Sequence, residues 1–304
     1  GTDAGVNALA SFQGKIVVAG DFQHVFQADN RFLKSPLLAF WDGASWSRVG
    51  DLVLTGSISV AVTNKGSLYV GGQFQSYDSA GFNGLAKYSE DGVWAPLGGG
   101  VPDGRVLAIS FVDDNMIVGG RFIQVGNITA KNLALWTSRS WSAMGDFNGE
   151  VSAVASIGEH LFVGGDFTSV SGITVNRIAG YHHGKWFPLR NGLDGKVHRL
   201  VSIGTCLYIG GAFSSTMGSQ PLATLANQKE EGKTAVAYAA RWCLDLTADV
   251  EPSFEELKGL TSIGPVRDLV RTETEIAPGG REDAFVCPID RKATHCAFPL
   301  KNKT

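Results

Sequence analysis

The side chains best suited to chemistry in this 304-residue chain are its histidines. They could serve as metal ligands or general bases, and there are six of them: His24, His160, His182, His183, His198 and His295. Zinc sites usually show ligands at a recurring close spacing, which only His182 and His183 approach. Both fall in a predicted turn, where neighbouring side chains should diverge, and His160 falls in another turn. We therefore predict solvated turns, with no metal site and no cofactor.

The sequence also lacks the usual patterns of a nucleophilic or phosphate-binding enzyme. It contains no Gly-x-Ser-x-Gly elbow, no glycine-rich phosphate loop before a helix and no cysteine beside an obvious base. The acidic pair Asp113 and Asp114 reads as a hairpin turn, where aspartate tolerates the required backbone geometry. Asp166 has no second carboxylate near it in the sequence. We predict no catalytic residues.

These residues sit on a unit that occurs five times. Each copy is an apolar strand that ends in Gly-Gly or Ala-Gly, with a phenylalanine two residues later: Phe22, Phe74, Phe122, Phe167 and Phe213. The phenylalanines recur after 52, 48, 45 and 46 residues, a period typical of propellers and other repeat arrays. Sixteen residues before each of them a short apolar segment opens, at Val6, Ile58, Val106, Val151 and Val197. The fixed spacing predicts a strand, a tight turn and a second strand.

Aromatic residues mark two further strands in each unit. The first aromatic follows an alanine by two positions, at Trp41, Tyr88, Trp136, Tyr181 and Trp242. A tryptophan follows in four units, at Trp46, Trp94, Trp141 and Trp186. Four strands per unit predict an all-β fold, a β-propeller of four-stranded antiparallel blades. We expect the aromatics to fill the wedges between blades rather than to stack on sugars.

The predicted propeller is a single domain over residues 1–304, with five clear blades and a partial or degenerate sixth. The blades span about 6–50, 58–98, 106–145, 151–190 and 197–258, with the partial blade at 265–304. Val266 opens the sixth unit, but Glu282 stands where the repeat phenylalanine is expected. Segments 284–289 and 294–300 are candidates for its degenerate second and third strands.

The variable loops between the second and third strands are predicted to carry the function. They open on one face, and function in repeat folds usually lies in loops because the strands are committed to packing. Residues 23–32 form the most unusual of these loops, since apolar side chains stand among polar ones. The candidate binding residues are His24, Phe26, Arg31 and Phe32, with Tyr77 and Asp78 in the second blade. The alternative is a loop folded over its own apolar side chains.

Four cysteines and two glycosylation sequons favour a secreted chain. Cys206 opens the second strand of the fifth unit and Cys243 closes its third, positions that lie side by side in an antiparallel pair. We predict a disulfide between them and a second between Cys287 and Cys296. The sequons begin at Asn127 and Asn302. Disulfides persist in oxidising compartments. Four reduced cysteines in a cytosolic protein are the alternative.

Composition narrows the class of partner. The formal net charge of −3 offers no basic field for nucleic acid, and no apolar run is long enough to cross a bilayer. The abrupt start at Gly1 suggests a piece of a larger surface or secreted protein. We expect the partner to be another protein or a surface glycan.

The repeat resembles those of a known group of proteins. Val-Gly-Gly-x-Phe, Leu-Ala-x-Trp-Asp-Gly and Ser-Trp-x-x-Val-Gly resemble kelch-type repeats, and most of all those of fungal cortical cell-polarity markers and related surface proteins. The resemblance covers residues 6 to about 213 well and 214–304 poorly. It implies an extracellular propeller used as a surface or adhesion module, without catalytic residues.

From these observations we expect a non-catalytic extracellular or cell-surface module that reaches its location by the secretory pathway. It would act as a protein-protein interaction, adhesion or scaffold domain within a larger extracellular structure. The first alternative is a carbohydrate-binding lectin, in which polar loop residues would recur from blade to blade. The second is an enzyme with its site at the mouth of the central channel, marked by clustered carboxylates or histidines.

Overall fold

The computed structural model describes residues 1–28, 31–76, 81–215 and 238–244 in full, and the backbone of 254–256, 266–272 and 283–288. The chain divides into two compact units, Gly1–Asp146 and Phe147–Thr304. This division falls between the third and fourth predicted blades. The prediction that residues 1–304 form one domain stays a prediction.

The first unit contains three four-stranded antiparallel sheets, each with the strand order of a blade. The first blade consists of β1 (Val6–Phe12), β2 (Lys15–Gly20), β5 (Leu38–Trp41) and β6 (Trp46–Arg48). The second consists of β7 (Leu54–Asn64), β8 (Ser67–Ser76), β9 (Leu85–Tyr88) and β10 (Trp94–Pro96). The third consists of β11 (Arg105–Val112), β12 (Asn115–Arg121), β15 (Leu133–Trp136) and β16 (Trp141–Ala143). Two small hairpins are added, β3 (His24–Phe26) with β4 (Phe32–Lys34), and β13 (Gln124–Val125) with β14 (Ile128–Thr129).

The second unit repeats this arrangement. The fourth blade consists of β17 (Glu150–Ile157), β18 (His160–Asp166), β21 (Ile178–His182) and β22 (Lys185–Pro188). It carries the small hairpin of β19 (Ser169–Val170) and β20 (Ile173–Thr174). The fifth blade consists of β23 (Val197–Ile203), β24 (Cys206–Gly211), β25 (Ala239–Cys243) and β26 (Phe254–Glu256). A sixth sheet pairs β27 (Val266–Thr272) with β28 (Asp283–Pro288).

The predicted fold class is confirmed: the chain is all-β and built from the four-stranded antiparallel blades of a β-propeller. The described residues contain no helix, and hence none there that is long and apolar enough to cross a membrane. The fourth strand of the fifth blade lies where Phe254 faces Trp242, as Trp46 faces Trp41 in the first blade. This strand therefore begins later in the sequence than in the other blades but keeps the same register.

Two details differ from the sequence-based expectation. The second blade begins at Leu54, four residues before the predicted Ile58, because β7 and β8 extend their pairing to Ser76. The loops after the second strand are not irregular in blades one, three and four, where they hold the small hairpins β3–β4, β13–β14 and β19–β20. Strands of two or three residues are too short to show an alternating pattern in the sequence.

The glycine doublet is explained by two close approaches of the backbone. The second residue of each doublet lies against a β-bulge in the first strand, where an added Cβ would come within 2.0–2.2 Å of a carbonyl oxygen; these glycines are Gly20, Gly72, Gly120, Gly165 and Gly211. The first residue faces the next blade, since a Cβ on Gly71 would lie 2.5 Å from Val106 Cγ1. Gly164 meets Val197 in the same way at 2.4 Å. Glycine is therefore required at the second position of every doublet, and at the first position in the second and fourth blades, whereas the first blade accommodates Ala19 there.

Paired aromatics occur in four blades, and those of the second and third blades lie against the preceding blade, as predicted. Their ring centroids are 4.8–5.0 Å apart, and the pairs are Trp41 with Trp46, Tyr88 with Trp94, Trp136 with Trp141, and Tyr181 with Trp186. In the first unit the Trp94 indole donates to the Val49 carbonyl of the preceding blade at 3.0 Å. Trp141 donates likewise to Gly98 at 3.0 Å. In these two blades the tryptophan therefore links neighbouring blades by a hydrogen bond and also fills the space between them.

Packing against the preceding blade buries the same second-strand position in the second and third blades. Leu68 and Met116, six residues before the repeat phenylalanine, are 0% and 1% exposed. The corresponding Ile16 in the first blade is 47% exposed, and Leu9 on the neighbouring strand is 65% exposed. The first blade thus presents an apolar face of the kind that the second and third blades pack against a preceding sheet.

Candidate functional site

The hairpin β3–β4 of the first blade places three of the predicted binding residues on one surface. Phe26 and Phe32 face each other across the hairpin and are 44% and 68% exposed. The His24 ring meets the Phe32 ring edge-on with centroids 5.2 Å apart. We call His24, Phe26 and Phe32 the aromatic hairpin surface.

The opposite side of the hairpin is packed into the blade. Val25 is fully buried with Phe22, Val18 and Ala39, and Leu33 packs against the same cluster. Alternate residues of a strand point to opposite faces, so burying Val25 forces His24 and Phe26 outward. The hairpin therefore covers its own valine and exposes its phenylalanines, and a binding role for this loop stays a prediction.

The N-terminal residues hold the hairpin in place. Asp3 accepts hydrogen bonds from the backbone amides of Gln23 and His24 at 2.8 and 3.0 Å. Its second oxygen lies 2.8 Å from His24 Nδ1. Thr2 forms a β-bridge with Val25, and the amide of Phe26 donates to the Gly1 carbonyl. These contacts make the aromatic hairpin surface a supported platform instead of a free loop.

The Asp3 carboxylate is stabilised in its charged form. Hydrogen bonds from the His24 backbone amide and ring, with a smaller contribution from the Gln23 amide, lower the pKa of Asp3 to about 2. A carboxylate that accepts several N–H bonds resists protonation because its neutral form loses acceptor strength. The anchor is therefore ionised throughout the physiological pH range.

The remaining predicted residues of this site are placed as follows. Arg31 is exposed at the tip of the hairpin. Tyr77 and Asp78 lie outside the described residues, so the structure neither joins them to the aromatic hairpin surface nor separates them from it. The grouping of all six residues stays a prediction.

Sequence reasoning missed the residue type that supports the decorated loops. An aspartate or asparagine three residues before the first apolar position binds the backbone amides that follow the repeat phenylalanine, and these residues are Asp3, Asp103, Asn148 and Asp194. The signal was present, because Asp or Asn precedes Val by three residues in four of the five units. The pattern is broken in the second of the five repeats, where Thr55 stands at that position.

Asp194 illustrates this cap in the fifth blade. Its side chain accepts from the amides of Ser214 and Ser215 at 2.7 and 3.0 Å and from both hydroxyl groups. Burial alone would raise the pKa of Asp194, but the hydrogen bonds from Ser214 and Ser215 outweigh it and lower the pKa. The recurring Asp and Asn side chains thus accept hydrogen bonds from backbone amides of the decorated loops and help to hold these loops in place.

A second cluster of chemically capable residues occurs at one end of the fourth blade. The expectation that His182 and His183 diverge is wrong, since their ring centroids lie 3.8 Å apart. His160 stacks on His182 at 3.8 Å with an interplanar angle of 13°. Glu159 lies beside them, with its Oε2 3.9 Å from His182 Nε2. Burial, together with the neighbouring His182 and His183 rings, lowers the pKa of His160.

The predicted hairpin turn at Asp113 and Asp114 is confirmed. Asp113 has a φ of +54° in the turn between β11 and β12, and Asp114 is paired with Lys65. Asp166 is paired with Arg177. The prediction that these carboxylates have no catalytic role stays a prediction.

The disulfide between Cys206 and Cys243 is confirmed. The two residues are directly opposite in the pairing of β24 with β25, with Cα atoms 3.9 Å apart and an S–S distance of 2.01 Å. Cys287 is described only in its backbone and Cys296 lies outside the described residues, so their pairing stays a prediction. Asn127 is exposed in the turn of the hairpin β13–β14, whereas Asn302 lies outside the described residues.

Comparisons with known proteins add only a general likeness. No protein-family model and no curated protein matches the chain. The computationally designed Ika8 protein is 12% identical over 95% of this chain and 82% of its own, with a TM-score of 0.49. The WD40 β-propeller domain of Doa1 is 11% identical over 94% of this chain and 90% of its own, with a TM-score of 0.45. The fold assignment accordingly rests on the strand pairing and blade packing described above.

Proposed function

We propose that this chain is a non-catalytic, extracellular protein-binding module that engages its partner through the aromatic hairpin surface. The observation that carries the proposal is the pair of exposed rings, Phe26 and Phe32. They lie on a hairpin that is held by the buried Val25 and by hydrogen bonds to Asp3. Aromatic side chains supply large apolar contact area and are enriched among the residues that dominate binding energy. A platform that is already ordered loses little entropy when a partner binds.

The charge around the rings favours a protein partner with acidic groups at the edge of its contact surface. Lys34 ends β4 and is exposed, Arg31 is exposed at the hairpin tip, and His24 borders Phe32. Complementary charge at the rim of an interface speeds association and fixes orientation. The expected interface therefore has an aromatic centre and a basic edge.

The proposed extracellular location is supported by two features. The Cys206–Cys243 disulfide belongs to an oxidising compartment, and the sequon at Asn127 is exposed where a glycan could be attached. The resemblance to kelch-type repeats of fungal cortical cell-polarity markers and other surface proteins supports the same location. Secretory expression should yield a chain whose mass falls on N-glycosidase treatment, and Asn127→Gln should remove the glycan at that site.

The binding proposal is tested by cross-linking at defined positions. A photoreactive amino acid at position 32 should capture one partner from the native extracellular environment, whereas the same group at position 123 should not. Ile123 is a suitable control because it is 64% exposed on the corresponding loop of the third blade. Affinity for the purified partner should fall by at least about tenfold in a Phe26→Ala, Phe32→Ala double variant and remain unchanged in Ile123→Ala.

Capture at both positions, or equal affinity of the double variant and the parent chain, would contradict the proposal. A glycan ligand is the second candidate, favoured by the same pair of exposed rings. A glycan array with the parent chain and the double variant separates the two, because only a lectin would show a specific sugar signal that the double substitution removes.

A further inference from the structure

We propose that Glu159, His182 and His183 form a binding site for a divalent transition-metal ion of the zinc and copper type. Each of the three side chains offers one donor atom, and these atoms all lie within 4.8 Å of one another. The site lies entirely within the fourth blade. It is independent of the aromatic hairpin surface and of the function proposed for it.

Strand pairing brings these residues together from two separate turns. β18 begins at His160 and runs antiparallel to β21, which ends at His182, with Leu161 opposite Tyr181. The turn that precedes β18 therefore lies beside the turn that follows β21. Glu159 comes from the first turn and His183 from the second, so the cluster is created by the register of the sheet.

The conformation of the second turn explains why the two adjacent histidines do not diverge. His183 and Gly184 have φ values of +47° and +78°, the pattern of a two-residue type I′ hairpin turn. A strand residue and its successor normally point to opposite faces, but the left-handed backbone at His183 turns its side chain back toward His182. Histidine is among the few non-glycine residues that adopt this conformation with appreciable frequency.

The donor set suits a late first-row divalent ion. Imidazole nitrogen and carboxylate oxygen are ordinary zinc ligands at about 2.0–2.2 Å, and imidazole also suits copper and nickel. Tetrahedral bonds of that length place donors about 3.3 Å apart. The Glu159 side chain is 81% exposed and His183 is exposed, so both can rotate to close the remaining gap. Calcium and magnesium prefer oxygen ligands and should bind poorly.

His160 acts as a positioning residue for this site. Its ring stacks on His182 at 3.8 Å and is nearly parallel to the ring of the buried Phe162 at 6.3 Å. His182 is half-buried, with 29% of its side chain exposed, and the stack restricts its orientation. Residues that hold a metal ligand in place typically change affinity when they are altered. Three protein ligands leave one coordination position of a tetrahedral ion for water.

The test is a metal titration of tag-free protein freed of metal by chelation, with zinc competed against a chromophoric chelator. We expect one zinc ion per chain with micromolar affinity, and no competition from magnesium. Glu159→Gln and His183→Asn should each weaken zinc binding by about tenfold or more, and asparagine at position 183 keeps a residue that tolerates the turn. His198→Asn, a histidine outside the cluster in the same unit, is the matched control.

Two further variants separate positioning from ligation. His160→Phe keeps a stacked ring and should retain affinity, whereas His160→Ala should weaken it. With Cu²⁺, the electron paramagnetic resonance spectrum should show nitrogen coupling that His183→Asn alters, and circular dichroism verifies that every variant is folded. Absence of zinc binding at millimolar concentration, or equal affinity in the parent chain, Glu159→Gln and His183→Asn, would overturn the proposal.

Discussion

At the scale of single residues, this chain depends on glycines at which another blade comes close. Gly98 has a φ of +52° and follows the fourth strand of the second blade. A Cβ there would lie 2.4 Å from Trp136 Cζ3 and 2.5 Å from Trp141 Nε1. The tryptophan pair of the third blade thus packs directly on backbone, so the glycine is required by its neighbour as well as by its own conformation.

We expect Gly98→Ala to destabilise the protein by about 1–3 kcal/mol more than Gly14→Ala, because only the first adds an overlap with a packed ring. Gly14 also has a positive φ, +74°, but its Cβ would meet nothing within 4 Å. Both variants carry the modest cost of a left-handed alanine. Chemical denaturation followed by tryptophan fluorescence measures the difference. Equal losses in the two variants would show that blade spacing adapts to the added methyl group.

At the scale of elements, an aspartate or asparagine just before the first strand holds the decorated loop in the first, third, fourth and fifth blades. Asp3 serves the hairpin β3–β4, and Asn148 holds the amides of Thr168 and Ser169 in the fourth blade. The neutral asparagine accepts the same backbone bonds as the charged aspartate. Geometry therefore matters to this cap more than charge does.

This equivalence leads to a pH prediction for the first blade. The pKa of Asp3 is lowered from 3.8 to about 2 in the folded state, so its stabilising contribution is complete above its unfolded value and is lost as pH falls through about 2. The nuclear magnetic resonance shifts of the Gln23 and His24 amides should change as the pH falls from 3.8 through about 2.

Asp3→Asn is the matched variant. It should abolish the titration and leave the hairpin ordered, whereas Asp3→Ala should loosen the hairpin at every pH. A titration that persists in Asp3→Asn would assign the pH dependence to another group.

At the scale of the whole molecule, stability comes from repeated burial between sheets. Leu68 is completely buried between the first and second blades, while Leu9, on the outward face of the first blade, is 65% exposed. Large-to-small substitutions in a core cost about 2–5 kcal/mol, and exposed ones usually stay within about 0.5 kcal/mol.

We therefore expect Leu68→Ala to lower the free energy of unfolding by about 2–5 kcal/mol and Leu9→Ala to leave it nearly unchanged. Denaturant titrations of both variants provide the comparison. A large loss in Leu9→Ala would mean that the apolar face of the first blade is covered in solution.

Much of the architecture follows from the sequence alone. Strand, bulge and turn are local, so the spacing of apolar runs, glycine doublets and aromatics determined five four-stranded blades, and antiparallel register determined that Cys206 meets Cys243. The sixth repeat was harder to predict, because more residues separate β27 from β28 in the sequence than separate the first two strands of the other blades. Even there the bulge after Val266 follows the pattern of the other blades.

Only the tertiary structure decided which side chains meet and which remain exposed. The exposure of Phe26 and Phe32 depends on Val25 being buried against the blade beneath. The meeting of Glu159 with His182 depends on the pairing of two strands whose turns are distant in sequence. Local periodicity carries no information about such contacts, because a turn looks solvated until its neighbour in the sheet is known.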